Sequence, residues 1–332
     1  MNYIGSKYKL SSWIKEIIVD RVGELKDLVF CDIFAGTGIV ARVFKRDVKK
    51  IISNDIEYYS YVLNRNYIKN HKSIKRADEL IDELNRLEPK EGFIYKNYCL
   101  GSGSGRQYFS DENGKKIDSI RQKLEEWYKS NKIEQNEYYF LLASLIESAD
   151  KVANTASVYG AFLKHLKKSA KKKLILEPAY FEVNDNEHEV LQEDANLLIK
   201  KISGDILYLD PPYNHRQYGA NYHLLNTIAE YKPFEPRGVS GLREYYRSKY
   251  CRKNEVCQAF DELIKSAKFK YIFLSYNNEG LMSQENIEKI MSKYGKYSLE
   301  KVEYQRFKAD KDENRTHKAN KTYEYLHILI KG

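Results

Sequence analysis

The stretch LVFCDIFAGTG, residues 28–38, passes from an apolar run into a glycine-rich turn. The run carries no regular polar alternation, which is typical of a strand that is buried on both faces of a parallel sheet. Glycine after such a strand lets the backbone approach a ligand closely, and the helix that follows favours an anionic group at its start. The stretch therefore predicts the first strand–turn–helix unit of an α/β fold, with a ligand at the turn.

Segments on both sides of this unit extend the alternation of strands and helices. Strands are predicted over 28–34, 49–55, 206–209 and 270–277, within 186–199, and near 298–306 and 322–330. Helices are predicted over 11–20, 39–46, 57–70, 77–88, 119–150, 255–267 and 285–295. This alternation is typical of a doubly wound, mostly parallel sheet, and the last two strands are expected to form a β-hairpin.

The alternation is interrupted between the two halves of the predicted sheet. Residues 97–118 form a loop-rich stretch that contains GSGSG and DENGKK, and residues 152–173 are dense in lysine. We interpret 93–185 as a mainly helical insertion. The prediction is therefore an α/β domain made of residues 1–92 and 186–332, with an inserted region between them.

Composition narrows the class of partner. The 332 residues carry a formal net charge of +9, which favours a polyanion such as nucleic acid, although an ordinary basic protein would carry the same charge. The 29 tyrosines suit a surface that stacks on bases, and a coding bias would produce the same excess. The four cysteines form no C-x-x-C pair, so neither a disulfide framework nor a metal site is expected. The polar, basic first residues, and the lack of an apolar run of about 18 residues, predict a cytosolic protein outside the membrane.

Residues of the glycine turn are candidates for binding a nucleotide-containing ligand: Gly36, Thr37 and Gly38. The third glycine of the dinucleotide fingerprint is missing, so the pattern alone also fits a tight turn without a ligand. Asp32 lies at the end of the first strand, where it can face a ligand. Asp55 follows the second strand, where a carboxylate can accept hydrogen bonds from both ribose hydroxyls or cap the next helix.

The stretch DILYLDPPYNHRQY, residues 205–218, ends a predicted strand on an acid, two prolines and a tyrosine. The lone pair of an aromatic amino group is delocalised into its ring, so acceptors for both of its N–H groups make the nitrogen more nucleophilic. The Asp210 carboxylate and the Pro211 carbonyl, held by a rigid chain, can be these acceptors, and the ring of Tyr213 can stack on an extracted base. A proline-stiffened turn explains the prolines, but not the acid and the ring together at the carboxyl edge of a sheet.

A short N-terminal stretch, NYIGSK at residues 2–7, offers the backbone N–H groups of Gly5 and Ser6 and the cation of Lys7. These groups suit a carboxylate ligand, although a polar N-terminal stretch is often only a frayed end. Together with the F-x-G-x-G loop, the acid after the second strand and D-P-P-Y, the stretch resembles the motifs of the DNA adenine methylase family of amino-group DNA methyltransferases.

This resemblance extends from Asn2 to the final hairpin, and its order of motifs is that of the α group. It implies the fold of S-adenosyl-L-methionine-dependent methyltransferases, with 1–92 and 186–332 as the catalytic domain and 93–185 as the DNA target-recognition region. The catalytic residues that it implies are Asp210, Pro211, Pro212 and Tyr213. The cofactor-binding residues that it implies are Tyr3, Lys7, Asp32, Phe34, Gly36, Thr37, Gly38, Asp55 and Asp194. Many relatives have glutamate where this chain has Asp32, which is a conservative departure.

The resemblance implies DNA contacts more loosely. Polar, aromatic and basic residues can contact phosphates, read base edges or fill the gap left by a flipped base. The candidates are Arg106, Asn154, Ser157, Tyr159, Lys164, Lys167, His215, Arg216, Gln217, Tyr218, Tyr222, Arg315 and Lys318. A run of charge is more often a solvated face, so no single lysine is decisive.

The predicted function is site-specific transfer of a methyl group from S-adenosyl-L-methionine to the 6-amino group of adenine in double-stranded DNA, by base flipping and in-line attack. We expect the modification enzyme of a restriction–modification system, a monomer or weak dimer in the bacterial cytosol, whose companion endonuclease forms no stable complex with it. Methylation of RNA adenine, or of the 4-amino group of cytosine in DNA, is the alternative. A dinucleotide-binding oxidoreductase would need the missing glycine, and a non-catalytic DNA-binding protein would leave the glycine turn and Asp210 without a purpose.

Overall fold

The computed structural model describes residues 6–305 and 321–332, and these form two compact units. The helical unit comprises Arg65–Val183 and Tyr218–Tyr245. The sheet unit comprises 6–64, 184–217, 246–305 and 321–332. The helical unit thus begins before the predicted insertion at 93 and also takes in a segment after the D-P-P-Y motif. The functional division into catalytic and target-recognition regions stays a prediction.

Strands of the described residues form one seven-stranded sheet. They are β1 (Val29–Asp32), β2 (Lys50–Asn54), β3 (Glu189–Leu191), β4 (Ile206–Leu209), β5 (Tyr271–Asn277), β6 (Gly295–Gln305) and β7 (Lys321–Lys331). Their order is β3-β2-β1-β4-β5-β7-β6, in which β1 to β5 are parallel and β7 is antiparallel to both of its neighbours. The predicted fold class, a mostly parallel sheet that ends in a hairpin, is confirmed.

Helices occupy both units. In chain order they are α1 (Ser11–Val22), α2 (Ile39–Phe44), α3 (Tyr58–Asn64), α4 (Ala77–Asn85), α5 (Phe93–Tyr98), α6 (Asp111–Lys129), α7 (Gln135–Val152), α8 (Ala195–Leu198), α9 (Tyr218–Asn221), α10 (His223–Glu230), α11 (Val256–Ser266) and α12 (Gln284–Met291). Short turns of other helix types are Arg65–Lys69 (π), Leu100–Ser102 (3-10) and Lys249–Cys251 (3-10). None of the helices in the described ranges is long and apolar enough to cross a bilayer.

The central strands are apolar because helices cover both faces of the sheet. On one face, Leu207 of β4 lies in a core with Phe260 of α11. On the other face, the ring of Phe30 in β1 stacks on that of Phe44 in α2, with 4.4 Å between the ring centroids. Burying each such side chain stabilises the fold by roughly 1.5–3 kcal/mol. This two-sided burial explains why the strands read as continuous apolar runs.

Two helices, α6 and α7, occupy the stretch that was predicted to be helical over 119–150. α6 begins inside the stretch predicted to be loop-rich, because the Ser110 hydroxyl caps it by accepting the Asn113 N–H at 3.3 Å. It ends before Asn131, whose φ of 57° is left-handed and turns the chain. α7 then begins with a capping box at Glu134. The predicted boundaries were wrong, since these local caps and the turn override helical periodicity.

Residues 153–183, all of them described, form neither helix nor strand. Buried amides from neighbouring helices take the place of regular backbone pairing. Asn113 donates to the carbonyl of Lys172 at 2.9 Å and accepts the Leu174 N–H at 2.8 Å. The Asn113 amide thereby both donates to and accepts from this irregular segment, which helps the segment pack inside the helical unit.

Candidate active site

Polar side chains from four strands or strand ends lie on one face of the sheet, at the carboxyl ends of the parallel strands. Asp32 ends β1, Asp210 follows β4, Ser275 lies in β5 and Glu324 lies in β7. β1 and β4 are in register at Asp32 and Tyr208, so Asp210, two residues after Tyr208, shares the face of Asp32. Open α/β sheets bind their ligands outside this edge, so the cluster lies where a site is expected.

Lys7 lies in this cluster and is not part of a frayed end. Its Nζ is 2.8 Å from Asp210 Oδ1 and 3.2 Å from Glu324 Oε1, and its side chain is 4% exposed. The Ser275 hydroxyl donates to the same Glu324 oxygen at 2.9 Å. Burial alone would lower the pKa of Lys7, but the carboxylates of Asp210 and Glu324 raise it well above its ordinary value. Lys7, predicted at the cofactor, therefore contacts the acid of the D-P-P-Y motif as a buried ammonium.

The D-P-P-Y corner brings a carboxylate and an aromatic ring together. Burial raises the pKa of Asp210 to about 6, while Lys7 limits the rise and Glu324 adds to it. Pro211 is buried and Pro212 half-buried. The ring centroid of Tyr213 lies 5.8 Å from Lys7 Nζ. Asp210 is therefore mostly ionised at neutral pH, beside a half-buried aromatic face.

The glycine turn after β1 is braced from two sides. Gly36 and Gly38 have left-handed φ angles of 53° and 73°, which favour glycine. The Asn64 side chain donates to the Gly36 carbonyl at 3.0 Å, and a Cβ at Gly38 would overlap its Oδ1. The Gly36 N–H donates to Asp55 Oδ2 at 2.8 Å. Thr37, between the glycines, is half-buried, whereas both glycines are buried.

Asp55 holds the chain after β2. Its Oδ1 accepts the Glu57 N–H at 2.9 Å, which closes a turn directly before α3. Burial raises the pKa of Asp55 to about 6, and the N–H groups of Glu57 and Gly36 oppose that rise. Each carboxylate oxygen keeps a second lone pair, and the ribose contact stays a prediction.

Asp32 is a buried acid of the same face. It is 1% exposed, and its Oδ1 has no hydrogen-bond partner within the described parts of the chain. Burial, together with the carboxylates of Asp210 and Asp55, raises the pKa of Asp32 well above its ordinary value. A buried polar atom without a partner suggests a missing ligand or a bound proton.

Asp194 caps α8 and also contacts an aromatic residue. Its Oδ1 accepts the Leu197 N–H at 3.0 Å, and its Oδ2 accepts the hydroxyl of Tyr246. Nearby in the sheet unit, the predicted cofactor residue Phe34 packs edge-on against Tyr250, with 5.0 Å between the ring centroids. Sequence reasoning missed both tyrosines, because they lie in a polar, arginine-rich stretch without a motif.

Sequence reasoning also missed three residues that brace the site. Glu324 pairs with Lys7, Ser275 donates to Glu324, and Asn64 holds the glycine turn. One sequence feature could have identified Glu324: it is the lone acid in the apolar, aromatic strand YEYLHILI. No sequence feature distinguishes Ser275 or Asn64 from other small polar residues.

Three of the predicted DNA contacts are buried in the helical unit: Asn154, Tyr159 and Tyr222. The Asn154 amide donates to the carbonyls of Gln107 and Leu163, both at 2.9 Å. The Tyr159 hydroxyl donates to Asp150 at 2.8 Å. The Asn154 and Tyr159 side chains thus hold loops together. Burial of all three counts against direct contact with DNA, which stays a prediction, because residue type alone does not separate interior from surface.

Two predicted DNA-binding cations also bind the backbone of their own unit. The guanidinium of Arg106 donates to the carbonyls of Gly238 at 2.9 Å and Val239 at 3.1 Å. The ammonium of Lys167 donates to the carbonyl of Thr155 at 2.7 Å. Both side chains stay positively charged, but some of their N–H donors are already bonded to loop carbonyls.

The remaining predicted contacts differ in exposure. The exposed ones are Lys164, His215 and Arg216. The half-buried ones are Ser157, Gln217 and Tyr218. The predicted residues that lie outside the described ranges are Tyr3, Arg315 and Lys318.

Known proteins resemble this chain along most of its length. A family model described as D12 class N6 adenine-specific DNA methyltransferase matches residues 3–298. The type II methyltransferase M.NlaIII of Neisseria lactamica is 66% identical over 332 residues, which cover 100% of this chain and 99% of that protein. The type II methyltransferase M.CviAII of Paramecium bursaria Chlorella virus 1 is 40% identical over 93% of both chains. M.FokI of Planomicrobium okeanokoites is 41% identical, and the match covers 100% of this chain and 53% of that protein.

Proposed function

This chain belongs to the family of D12 class N6 adenine-specific DNA methyltransferases, and from that membership we propose how it works. It transfers a methyl group from S-adenosyl-L-methionine to the 6-amino group of adenine within a specific sequence of double-stranded DNA. The observation that carries the proposal is the pairing of Asp210, in the D-P-P-Y corner, with the buried ammonium of Lys7 at the carboxyl edge of the sheet.

The donor set of the sheet unit fits S-adenosyl-L-methionine, which supplies a sulfonium methyl group when bound. The turn at Gly36 and Gly38 has left-handed φ angles and no Cβ atoms, so its backbone can approach a ligand closely. Asp55 has lone pairs left for ribose hydroxyls, and Asp194 can accept from an exocyclic amino group. The partnerless oxygen of Asp32 is a further polar atom that a ligand could satisfy.

Asp210 activates the adenine amino group in this proposal. Lys7 occupies Asp210 Oδ1, so Oδ2 is the oxygen that faces the substrate and accepts an N–H. The Pro211 carbonyl accepts the second N–H, and the ring of Tyr213 stacks on the flipped base. Positive charge grows on the amino nitrogen as the methyl group arrives, and the ionised carboxylate stabilises that charge. No strong base is needed, because the nitrogen becomes acidic once it is methylated.

In this proposal the exposed basic residues contact DNA, whereas the buried candidates do not. Lys164, His215 and Arg216 are accessible to phosphates, and the net charge of +9 favours a polyanion. The relatives named as type II methyltransferases support a modification role. In this proposal a companion endonuclease acts separately, and the enzyme acts as a monomer or weak dimer, in the compartment that contains the DNA.

The test is transfer of tritiated methyl groups to DNA by the wild type and by Asp210→Asn. We expect the variant to lose at least about 100-fold in rate, by analogy with the removal of one preorganised stabilising group, while calorimetry shows retained binding of S-adenosyl-L-methionine. Asp205→Asn is the matched control, because Asp205 binds the Val29 N–H at the opposite end of β4. A D210N rate within twofold of the wild type would refute the role of Asp210, and label on cytosine or RNA would refute the substrate.

A further inference from the structure

We propose that Glu324 is a positioning residue for methyl transfer: it offsets the charge of Lys7, so that Asp210 keeps a net negative charge toward the adenine amino group. The inference rests on the proposed role of Asp210, and it adds a residue that lies outside the recognised motifs. Glu324 itself touches neither the D-P-P-Y corner nor, in this proposal, the substrate.

The geometry fixes Glu324 in place. Its Oε1 is 3.2 Å from Lys7 Nζ and accepts the Ser275 hydroxyl at 2.9 Å. Glu324 is 6% exposed and Ser275 is fully buried. β7 pairs with β5 along seven residues, with Glu324 opposite Asn277, so the backbone that carries the carboxylate is held by the sheet. A carboxylate anchored by a hydroxyl and an ammonium stays beside Lys7.

The charges explain why such a residue is useful. Asp210 and Lys7 alone would form a neutral pair, in which the ammonium cancels the charge that the reaction needs. With Glu324 ionised, the three groups carry one net negative charge. A buried net charge is costly unless something compensates it, and the positive charge that develops on the amino nitrogen does so during transfer. The cluster is therefore suited to the transition state more than to the resting protein.

The other titratable groups that face Asp210 leave this balance intact. Asp32 lies on the same face of β1, and burial raises its pKa well above its ordinary value, which favours its neutral form. Burial likewise raises the pKa of Tyr208 and of Tyr213, so both phenols are neutral. Glu324 is therefore the group whose charge offsets Lys7.

Single-turnover methyl transfer between pH 5 and 8 tests the proposal with Glu324→Gln, which keeps the shape and removes the charge. We expect the plateau rate to fall about tenfold, and the acid midpoint to move down by roughly half a unit to one unit, because Glu324 raises the pKa of Asp210. Carbon-13 NMR titration of the Asp210 carboxyl, assigned with D210N, should show the same shift without substrate. Glu300→Gln is the matched control, since Glu300 lies on the adjacent β6 but pairs with the surface residue Arg21.

A second variant keeps the test decisive if E324Q folds poorly. The double variant Lys7→Met with Glu324→Gln restores one net negative charge without leaving an unpaired cation. Its plateau rate should stay within about tenfold of the wild-type rate, and its acid midpoint should be no lower than that of the wild type. A purely structural role predicts the opposite: a slower double variant, and an E324Q protein with a lower rate but an unmoved midpoint. Either result overturns the proposal, whereas a fully active D210N enzyme overturns the proposed function itself.

Discussion

Replacing Lys7 by methionine keeps most of the side-chain volume and leaves Asp210 and Glu324 buried without their ammonium. Breaking a buried ion pair by removing one partner costs about 3–5 kcal/mol. An unfolding entropy of about 2.1 cal/mol/K per residue, taken over the 332-residue chain, converts this loss to a drop in Tm of about 4–7 °C at pH 8. Thermal melting followed by circular dichroism measures it.

The loss should depend on pH in a defined direction. Burial already raises the folded-state pKa of Asp210 to about 6, above its unfolded value, and removal of Lys7 raises that pKa further. A carboxyl whose pKa is raised in the folded state favours folding at low pH and opposes it as pH rises through the folded pKa. K7M should therefore lose clearly less stability at pH 5 than at pH 8.

A surface lysine provides the control for K7M. Lys15 pairs with Asp47 at 2.6 Å, but both side chains are more than a third exposed. Lys15→Met should change stability by less than about 1 kcal/mol at either pH, because exposed pairs contribute little. The reasoning is refuted if K7M melts within a degree of wild type at pH 8, or if it loses as much stability at pH 5 as at pH 8.

Three further outcomes follow from the site and from the helical unit. Gly38→Ala puts a Cβ into Asn64 at a left-handed φ, so calorimetry should show at least about tenfold weaker binding of S-adenosyl-L-methionine; unchanged affinity would contradict the brace. Wild-type methyl transfer should rise with pH to a midpoint near the Asp210 pKa of about 6 and then stay level to pH 8; a midpoint below 4.5 would count against an acceptor of that pKa. Arg216→Ala should weaken DNA binding and lower the salt slope by about one, whereas Asn154→Ala should cost about 1–3 kcal/mol of stability and leave the slope unchanged. A lower salt slope and unchanged stability in Asn154→Ala would indicate that Asn154 contacts DNA.

The sheet could be predicted from the sequence because its strands are buried on both faces. Residues 206–209 and 270–277 contain few positions that tolerate a polar side chain, so the pattern is local and strong. The boundary between α6 and α7 was not predicted, because it depends on the left-handed Asn131 and on caps within a segment of otherwise helical composition. Turn and cap residues of this kind are a weaker sequence signal for secondary structure than hydrophobic periodicity.

The site was predicted where a motif is continuous and missed where it is assembled by topology. The D-P-P-Y corner and the glycine turn are short stretches whose chemistry can be read directly. The contact of Lys7 with Asp210 joins residues 203 positions apart, and its partner Glu324 comes from another strand. Burial of Asn154 and Tyr159 was equally invisible, since a satisfied interior amide or phenol looks like a binding residue in sequence.

The position of β7 between β5 and β6 bears on how the enzyme matures during translation. A ribosome synthesises β7 after every other described strand, yet β7 pairs with β6 along eleven residues and with β5 along seven. Until β7 arrives, β5 has an open edge and Lys7 lacks its ion pair with Glu324. Insertion of this late strand joins the sheet and delivers Glu324 in one step. A chain that lacks β7 also lacks Glu324, so its Lys7–Asp210 pair should be neutral and it should methylate DNA poorly.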